Sequence, residues 1–204
     1  MAYLIRPART RDVPVIRKLT DAHVESGCLL GKAAVTLYED IQEFCVAVSA
    51  GGDGAAGSAA SGGGAGSAAS GGGPGLHRGG MDDAALVGCG ALHVMWEDLA
   101  EIRTVAVRED CQGMGIGHAI IGALLWRARE LGVDRVFVLT FAVDFFAGHG
   151  FRPISGTPVA PEVYAELLRS YDEGVAEFLD LERVKPNTLG NTRMLLRLLP
   201  VRGK

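Results

Sequence analysis

The run Gln112-Gly113-Met114-Gly115-Ile116-Gly117 is the stretch of this chain with the plainest chemical meaning. Glycines at alternate positions let successive backbone N–H groups turn toward one point, and they let a ligand approach without meeting Cβ atoms. An apolar helical pattern follows at once, through Ile120, Ile121, Leu124, Leu125 and Ala128. The run therefore also supplies a helix N-terminus, with unpaired donors and about half a positive charge. Such a site binds a pyrophosphate. No Lys-Ser or Lys-Thr follows the glycines, so nothing is set for a γ-phosphate and magnesium. The G-x-G-x-G spacing, with no acidic strand end downstream, also departs from the dinucleotide fingerprint.

The elements around this turn read clearly. Before it, Ile102, Thr104 and Ala106 alternate with Arg103, Val105 and Val107 in a strand rich in β-branched residues, ended by Arg108-Glu109-Asp110. After the helix, Gly132 is the C-cap candidate, and Arg135 to Thr140 is a buried strand. Upstream, Leu4 to Ala8 is a short strand and Thr10-Arg11-Asp12 starts a helix that ends near Ser26-Gly27. Cys28 to Lys32 is turn-like, Thr36 to Ile41 a second helix and Phe44 to Val48 a strand. That strand pairs antiparallel with Leu86 to Val94. Downstream, Asp144 to Phe151 is a short helix ending at glycine, Glu162 to Tyr171 a helix and Thr192 to Leu198 a closing strand. The sum is an α/β chain with a mixed sheet and helices on its faces.

The totals narrow the class. The 204 residues, 48% hydrophobic, fit one domain with a proper core. Residues 50–80, nearly all Gly, Ala and Ser with an approximate SAASGGG repeat, cannot bury enough to offset their chain entropy and are expected as a flexible insert. Loop closure costs little more as a loop lengthens, so the hairpin tolerates it. Net charge −4 and a pI of about 5.7 argue against nucleic-acid or polybasic membrane binding. No apolar stretch is long enough to cross a bilayer and the first residues lack a signal-peptide pattern, so a cytoplasmic protein is expected. Cys28, Cys45, Cys89 and Cys111 form no CxxC pair, and neither disulfides nor a metal is expected.

Gln-x-x-Gly-x-Gly after a strand ending Val-Ala-Val resembles the coenzyme A loop of the GNAT acetyltransferases. The opening strand with R-x-A-x-x-x-D (Arg6 to Asp12) and the short helix ending Gly150-Phe151 fit the same family. The resemblance implies the GNAT fold and acetyl-CoA as cosubstrate, lying along the backbone of Val105, Ala106 and Val107. Its pyrophosphate would sit on Gln112, Gly113, Met114, Gly115, Ile116 and Gly117, with Phe146 near its thiol. Within E-I-x-x-x-A-V, the resemblance makes Glu101 the base that takes the amine proton and the Val105 N–H the donor that polarises the thioester carbonyl. Many relatives carry a tyrosine where this chain has Phe146, so the leaving thiolate takes a proton from water or leaves without one.

GALHVMWEDLAEIRTVAVRED, RVFVLTF, FFAGHGF and EFLDLERVKPNTLGNTRMLL are similar to the short, actinobacterial-type N-acetylglutamate synthases, which open arginine biosynthesis. The resemblance runs over about residues 3–198 apart from the insert. The long members' amino-acid-kinase domain finds no room in 204 residues. An amino acid with two carboxylates needs two donor clusters. By resemblance Lys32 is the first anchor, Arg103, Thr104 and Thr140 face the same cleft, and Asn187, Asn191 or Lys185 replaces an arginine of the long forms. An amide partner suits glutamine as well as glutamate. His93, His118 and His149 are read as structural or solvated. Two alternatives stay open: an acetyltransferase for glutamine or another small amine, and a catalytically silent acyl-CoA sensor. Family habit makes a homodimer the expected assembly.

Overall fold

A computed structural model of the chain describes residues 2–25, 31–49, 86–184 and 190–198. The insert at 50–80, the break at Ser26-Gly27, Cys28, Lys185 and Asn187 lie outside them. The strands are β1 (Tyr3–Pro7), β2 (Phe44–Ser49), β3 (Leu86–Trp96), β4 (Leu99–Val107), β5 (Arg135–Thr140), β6 (Arg152–Pro153) and β7 (Thr192–Arg197). They form one mixed sheet in the order β1-β2-β3-β4-β5-β7-β6, in which only β4 and β5 run parallel. The helices are α1 (Val13–Glu25), α2 (Ala34–Glu39), α3 (Ile116–Glu130), α4 (Val143–Ala147), α5 (Pro161–Leu167) and α6 (Glu173–Phe178).

Side-chain alternation divides the core between the two faces of the sheet. Ala47, Val87, Ala100, Ile102, Val136 and Val138 pack with Ile116, Ile120, Ile121 and Leu124 of α3. Their neighbours face the other way. Val46, Cys89 and Ala91 join Val13, Ile16 and Leu37 of α1 and α2, while Phe137 joins Val175 and Phe178 of α6. Between those two apolar clusters, on the face opposite α3, alternation leaves room for Glu101 and Arg103. Gly88 and Gly90 let α3 lie close on β3: a Cβ at Gly90 would come within 2.7 Å of Ile120 Cγ2.

The even alternation expected along β4 fails at one point. Cys89 pairs with Ala106 and Ala91 with Arg103, so Gly90 stands opposite both Thr104 and Val105. That is a β-bulge, with Thr104 at φ 57°. The extra residue exchanges the two faces. Ile102 packs with α3, but Ala106 joins the opposite core, and Val105 and Val107 turn toward α3. Pairing of β4 with β5 covers only Leu99, Ala100 and Glu101. Beyond Glu101 the two strands diverge, and the cleft opens there.

Two further departures concern the end of the chain. The helix expected to reach Tyr171 stops at Leu167, and a separate helix, α6, follows. Asp172 caps it: its Oδ1 accepts from the Val175 N–H at 3.1 Å. At the other end Arg193 of β7 donates to the Phe178 carbonyl, and Phe178 meets Phe137 edge-on at 5.2 Å. The cap, the arginine and the aromatic pair fix α6 beside β4. Near the start of the chain, Arg6 donates to both carboxylate oxygens of Asp12, at 2.7 and 2.9 Å, which ties β1 to the beginning of α1.

Candidate active site

The glycine run forms the turn into α3. Gly113 and Gly115 hold φ of 74° and 79°, a backbone region that favours glycine. Helical bonding begins with Ala119 N–H to Gly115 O at 3.1 Å, so the N–H groups of Ile116, Gly117 and His118 precede it. Ile116 is buried and anchors the turn in the core, Met114 is half-exposed, and Gln112 Nε2 donates to the Val107 carbonyl at 3.4 Å. Gly117 admits the Phe145 ring, which a Cβ would meet at 3.3 Å. These residues fit a pyrophosphate on the turn. The strands that part beyond Glu101 fit an extended chain between them.

A cavity of about 240 Å³ lies where the strands part, lined among others by Val105, Thr140, Phe145 and Phe146. A larger one of about 410 Å³ is lined by Lys32, Glu101, Asn191 and the start of α6. They share Ile102, Arg103, Thr104, Leu139 and Phe141 as a common wall. Among the described residues the strand register gives Thr104 and Val105 no partner, since β3 skips them and β5 has turned away. Ala106 lies in the core below, at 2% exposure.

Glu101 is 3% exposed, and its Oε2 makes no hydrogen bond among the described residues. Burial pushes its carboxyl up to about 8; the charges of Glu177 and Asp172 add to this, while Arg103 opposes it. Glu177 is also buried, and burial with the charges of Glu173 and Asp172 pushes it up to about 7. The Glu101 side chain rests directly on α6. A Cβ at Gly174 would fall 2.0 Å from Glu101 Oε2, so this helix can lie here only with glycine at that position.

Arg103 reaches the cavity wall, but its guanidinium is encircled. Nη1 donates to Asp172 Oδ2 at 2.8 Å, and Nη2 to Glu43 at 2.9 Å and Asp40 at 3.2 Å. Burial works against the charge, yet Glu101, Asp172 and Glu43 hold it firmly cationic. Burial raises the Asp172 carboxyl, but Arg103, His93 and the Val175 N–H together bring it below the ordinary carboxylate range. Lys32 Nζ pairs with Asp40 at 3.2 Å. Thr140 lines the smaller cavity only, and its Oγ1 accepts from the Ala142 N–H at 2.9 Å, holding the turn into α4. Of the residues expected at the acceptor, Lys32, Arg103, Thr104 and Asn191 thus meet at the larger cavity, Thr140 stands at the smaller one, and Asn187 and Lys185 lie outside the described residues.

The three histidines, read as structural or solvated, have side-chain partners. His93 Nδ1 lies 2.7 Å from Glu43 Oε1, and Nε2 lies 3.8 Å from Asp172, so His93 belongs to the cluster around Arg103. His118 and His149 meet at 2.8 Å beside Phe145. Sequence reasoning also missed Asp40, Glu43, Asp172, Gly174 and Glu177. The local signal was an N-cap aspartate three residues before Val175, but the Gly174 that follows reads as a turn.

The acetyltransferase (GNAT) family model matches residues 71–151. The amino-acid acetyltransferase of Mycobacterium tuberculosis is 51% identical over 195 residues, which are 96% of this chain and 94% of that one. The chain belongs to the GNAT acetyltransferases. Within them it stands with the amino-acid acetyltransferases. The crystal structure of Rv2747 from Mycobacterium tuberculosis, in complex with CoA and NLQ, superposes with a TM-score of 0.75 at 51% identity, covering 96% of this chain and 99% of that one. N-acetylglutamate synthase from Neisseria gonorrhoeae, complexed with coenzyme A and N-acetyl-glutamate, superposes with a TM-score of 0.65. At 21% identity, and with 36% of that longer chain covered, it supports the fold alone. No described helix is long and apolar enough to cross a membrane. Among the described residues no three His, Cys, Asp or Glu side chains gather where they could hold a metal ion.

Proposed function

We propose that this GNAT acetyltransferase transfers the acetyl group of acetyl-CoA to the α-amino group of L-glutamate, the step that opens arginine biosynthesis. One observation carries the reading: the carboxyl of Glu101, whose Oε2 makes no hydrogen bond among the described residues, lines the acceptor cavity, four residues along β4 from the backbone of Val105 in the adjoining cavity. The glycine turn and the N-terminus of α3 hold the pyrophosphate, and the gap between β4 and β5 takes the arm that leads to the thioester. Glu101 removes a proton from the ammonium of the acceptor. An α-amino group has a pKa of about 8, and the Glu101 carboxyl is raised to about 8 as well, so the transfer runs nearly level. The Val105 N–H stabilises the oxyanion that forms when the free amine attacks the carbonyl carbon. Phe146 offers the departing thiolate no proton.

A second reading is favoured by the charges. Lys32 and Arg103 both carry carboxylate partners, and Asp172, Glu173 and Glu177 line the same cavity. A neutral amide side chain fits these surroundings with less repulsion than a second carboxylate, which makes L-glutamine the rival acceptor. Coenzyme A release from acetyl-CoA, measured side by side with L-glutamate, L-glutamine, L-aspartate and no acceptor, separates the readings. Turnover with glutamate well above glutamine supports the proposal. Turnover with glutamine equal or better keeps the chemistry and changes the acceptor. Tight acetyl-CoA binding with no turnover on any of them overturns it in favour of a sensor.

A further inference from the structure

A buried base needs an exit for the proton it collects in each turnover. Glu101 is such a base: its Oε2 is buried, lacks a hydrogen-bond partner among the described residues and presses on α6 at Gly174. Residue 177 follows residue 174 by three positions on the same helix, so the two share a face, with Cβ positions about 5–6 Å apart. The Glu177 side chain is buried and lines the same cavity as Glu101. We propose that Glu177 is the proton-transfer partner of Glu101: beside Gly174, through the cavity that both side chains line, Glu177 receives the proton that Glu101 takes from the amine and passes it on to solvent. The inference rests on the reading of Glu101 as base.

The step balances as a proton relay. The ammonium gives one proton to the Glu101 carboxylate and becomes a neutral amine; Glu101 gives that proton to the Glu177 carboxylate; Glu177 releases it to water in the cavity. No bond other than those to the moving proton changes. Two neighbouring buried carboxyls repel as anions, so they lose their protons in two separated steps that belong to the pair. The other charged groups around them do not offer the same service. Arg103 and Lys32 are cations with carboxylate partners, and Arg103 keeps Asp172 an anion. Behind Arg103, Asp40, Glu43 and His93 are bound up in its hydrogen bonds and ion pairs. Glu173, beside Glu177 on the helix, acts on the pair by its negative charge.

The test uses the full chain. Carbon-13 labelling of the glutamate side-chain carboxyls and titration by NMR should show Glu101 and Glu177 of the unaltered protein ionising as a coupled pair above the ordinary carboxylate range. In Glu177→Gln, Glu101 should titrate in a single step at lower pH. The same variant should lose kcat by about 100-fold, the low end of the range for a positioned proton-transfer group, with the acetyl-CoA KM unchanged. The acid limb of its kcat/KM profile should move to lower pH, and imidazole buffer should restore part of kcat. Independent titration of the two carboxyls overturns the inference, and that measurement needs no variant. So does a Glu177→Gln enzyme with full activity, or one whose loss comes with an unmoved acid limb and no rescue. A Glu101→Gln enzyme that retains activity overturns instead the reading of Glu101 as base, so the two failures are told apart.

Discussion

The two ends of the cleft are built on different plans. The proposed cosubstrate end is contiguous: one strand, one glycine turn and one helix, Leu99 to Glu130, supply the open strand edge, the positive-φ glycines and the helix N-terminus. On the proposed reading it works through backbone groups and needs few charged side chains. The acceptor end is assembled from distant parts. Lys32 comes from the approach to α2, Asp40 and Glu43 from the segment after it, His93 from β3, Glu101 and Arg103 from β4, and Asp172 to Glu177 from α6. It works through buried side chains whose charges set one another. A loop that binds a common cosubstrate can be a local solution. A pocket that selects an acceptor and tunes a base requires groups from across the fold.

The largest expected effect falls on the acceptor end alone. Glu101→Gln should lower kcat by about 10²–10⁴-fold, the range for removing a positioned general base, while the acetyl-CoA Kd by isothermal titration stays within about twofold of the unaltered protein. A matching loss of acetyl-CoA affinity would break the separation of the two ends. Next comes the cosubstrate end. Gly115→Val must adopt φ near 79° or move the turn; at about 1–2 kcal/mol for a left-handed residue, the acetyl-CoA Kd should rise about 5–30-fold. The Glu101 acid limb, followed in the kcat/KM profile at saturating acetyl-CoA, should stay in place. An acid limb that moves would mean the two ends are coupled through β4.

A smaller effect concerns stability. Arg103 is 10% exposed and forms ion pairs with Asp172, Asp40 and Glu43 at once. Arg103→Met should leave these carboxylates repelling one another and destabilise the fold by about 2–4 kcal/mol, a little below the range for breaking a fully buried pair because the partners keep some contact with water. Urea unfolding at pH 7 measures it, and the penalty should shrink as pH falls and the carboxylates take up protons. A variant as stable as the parent would mean that Arg103 is not the hub of the acceptor end and is available to a substrate carboxylate.

This difference of plan explains what the sequence made legible. The turn at 112–117, the helix after it and most strands follow from local periodicity and from glycines, two of which, Gly113 and Gly115, take positive φ. The bulge at Thr104 and Val105 is invisible to periodicity, because it depends on where β3 places Gly90 and shows only as exchanged faces. Helix α6 was missed because it is six residues long and contains a glycine, and its stability comes from Phe178, Asp172 and Arg193 binding elsewhere in the fold. With α6 went Gly174 and Glu177. Arg103 was expected to face the acceptor cleft, as it does, but its type and strand position gave no sign of the three carboxylates that converge on it.

The smallest expected effect tests whether the acceptor end holds its base at a cost to the fold. Burial pushes the Glu101 carboxyl up to about 8 in the folded state, against an ordinary value of 4.5. A carboxyl raised in this way contributes its full stability below the unfolded pKa and loses it as pH rises through the folded value, because the folded state holds a proton that the unfolded chain gives up. At pH 5 the protonated carboxyl and a glutamine amide should be nearly equivalent, and Glu101→Gln should melt with the parent. At pH 8 the parent carries a partly ionised buried group and the variant does not. A residual difference of about 1–2 kcal/mol would then raise the variant's Tm by about 2–8 °C, although its activity is lost. Stability gained where function is lost is the mark of a strained catalytic group. If Glu101→Gln melts below the parent at both pH values, the carboxylate is a structural partner of Arg103, and the contrast between the two ends of the cleft loses its chemical meaning.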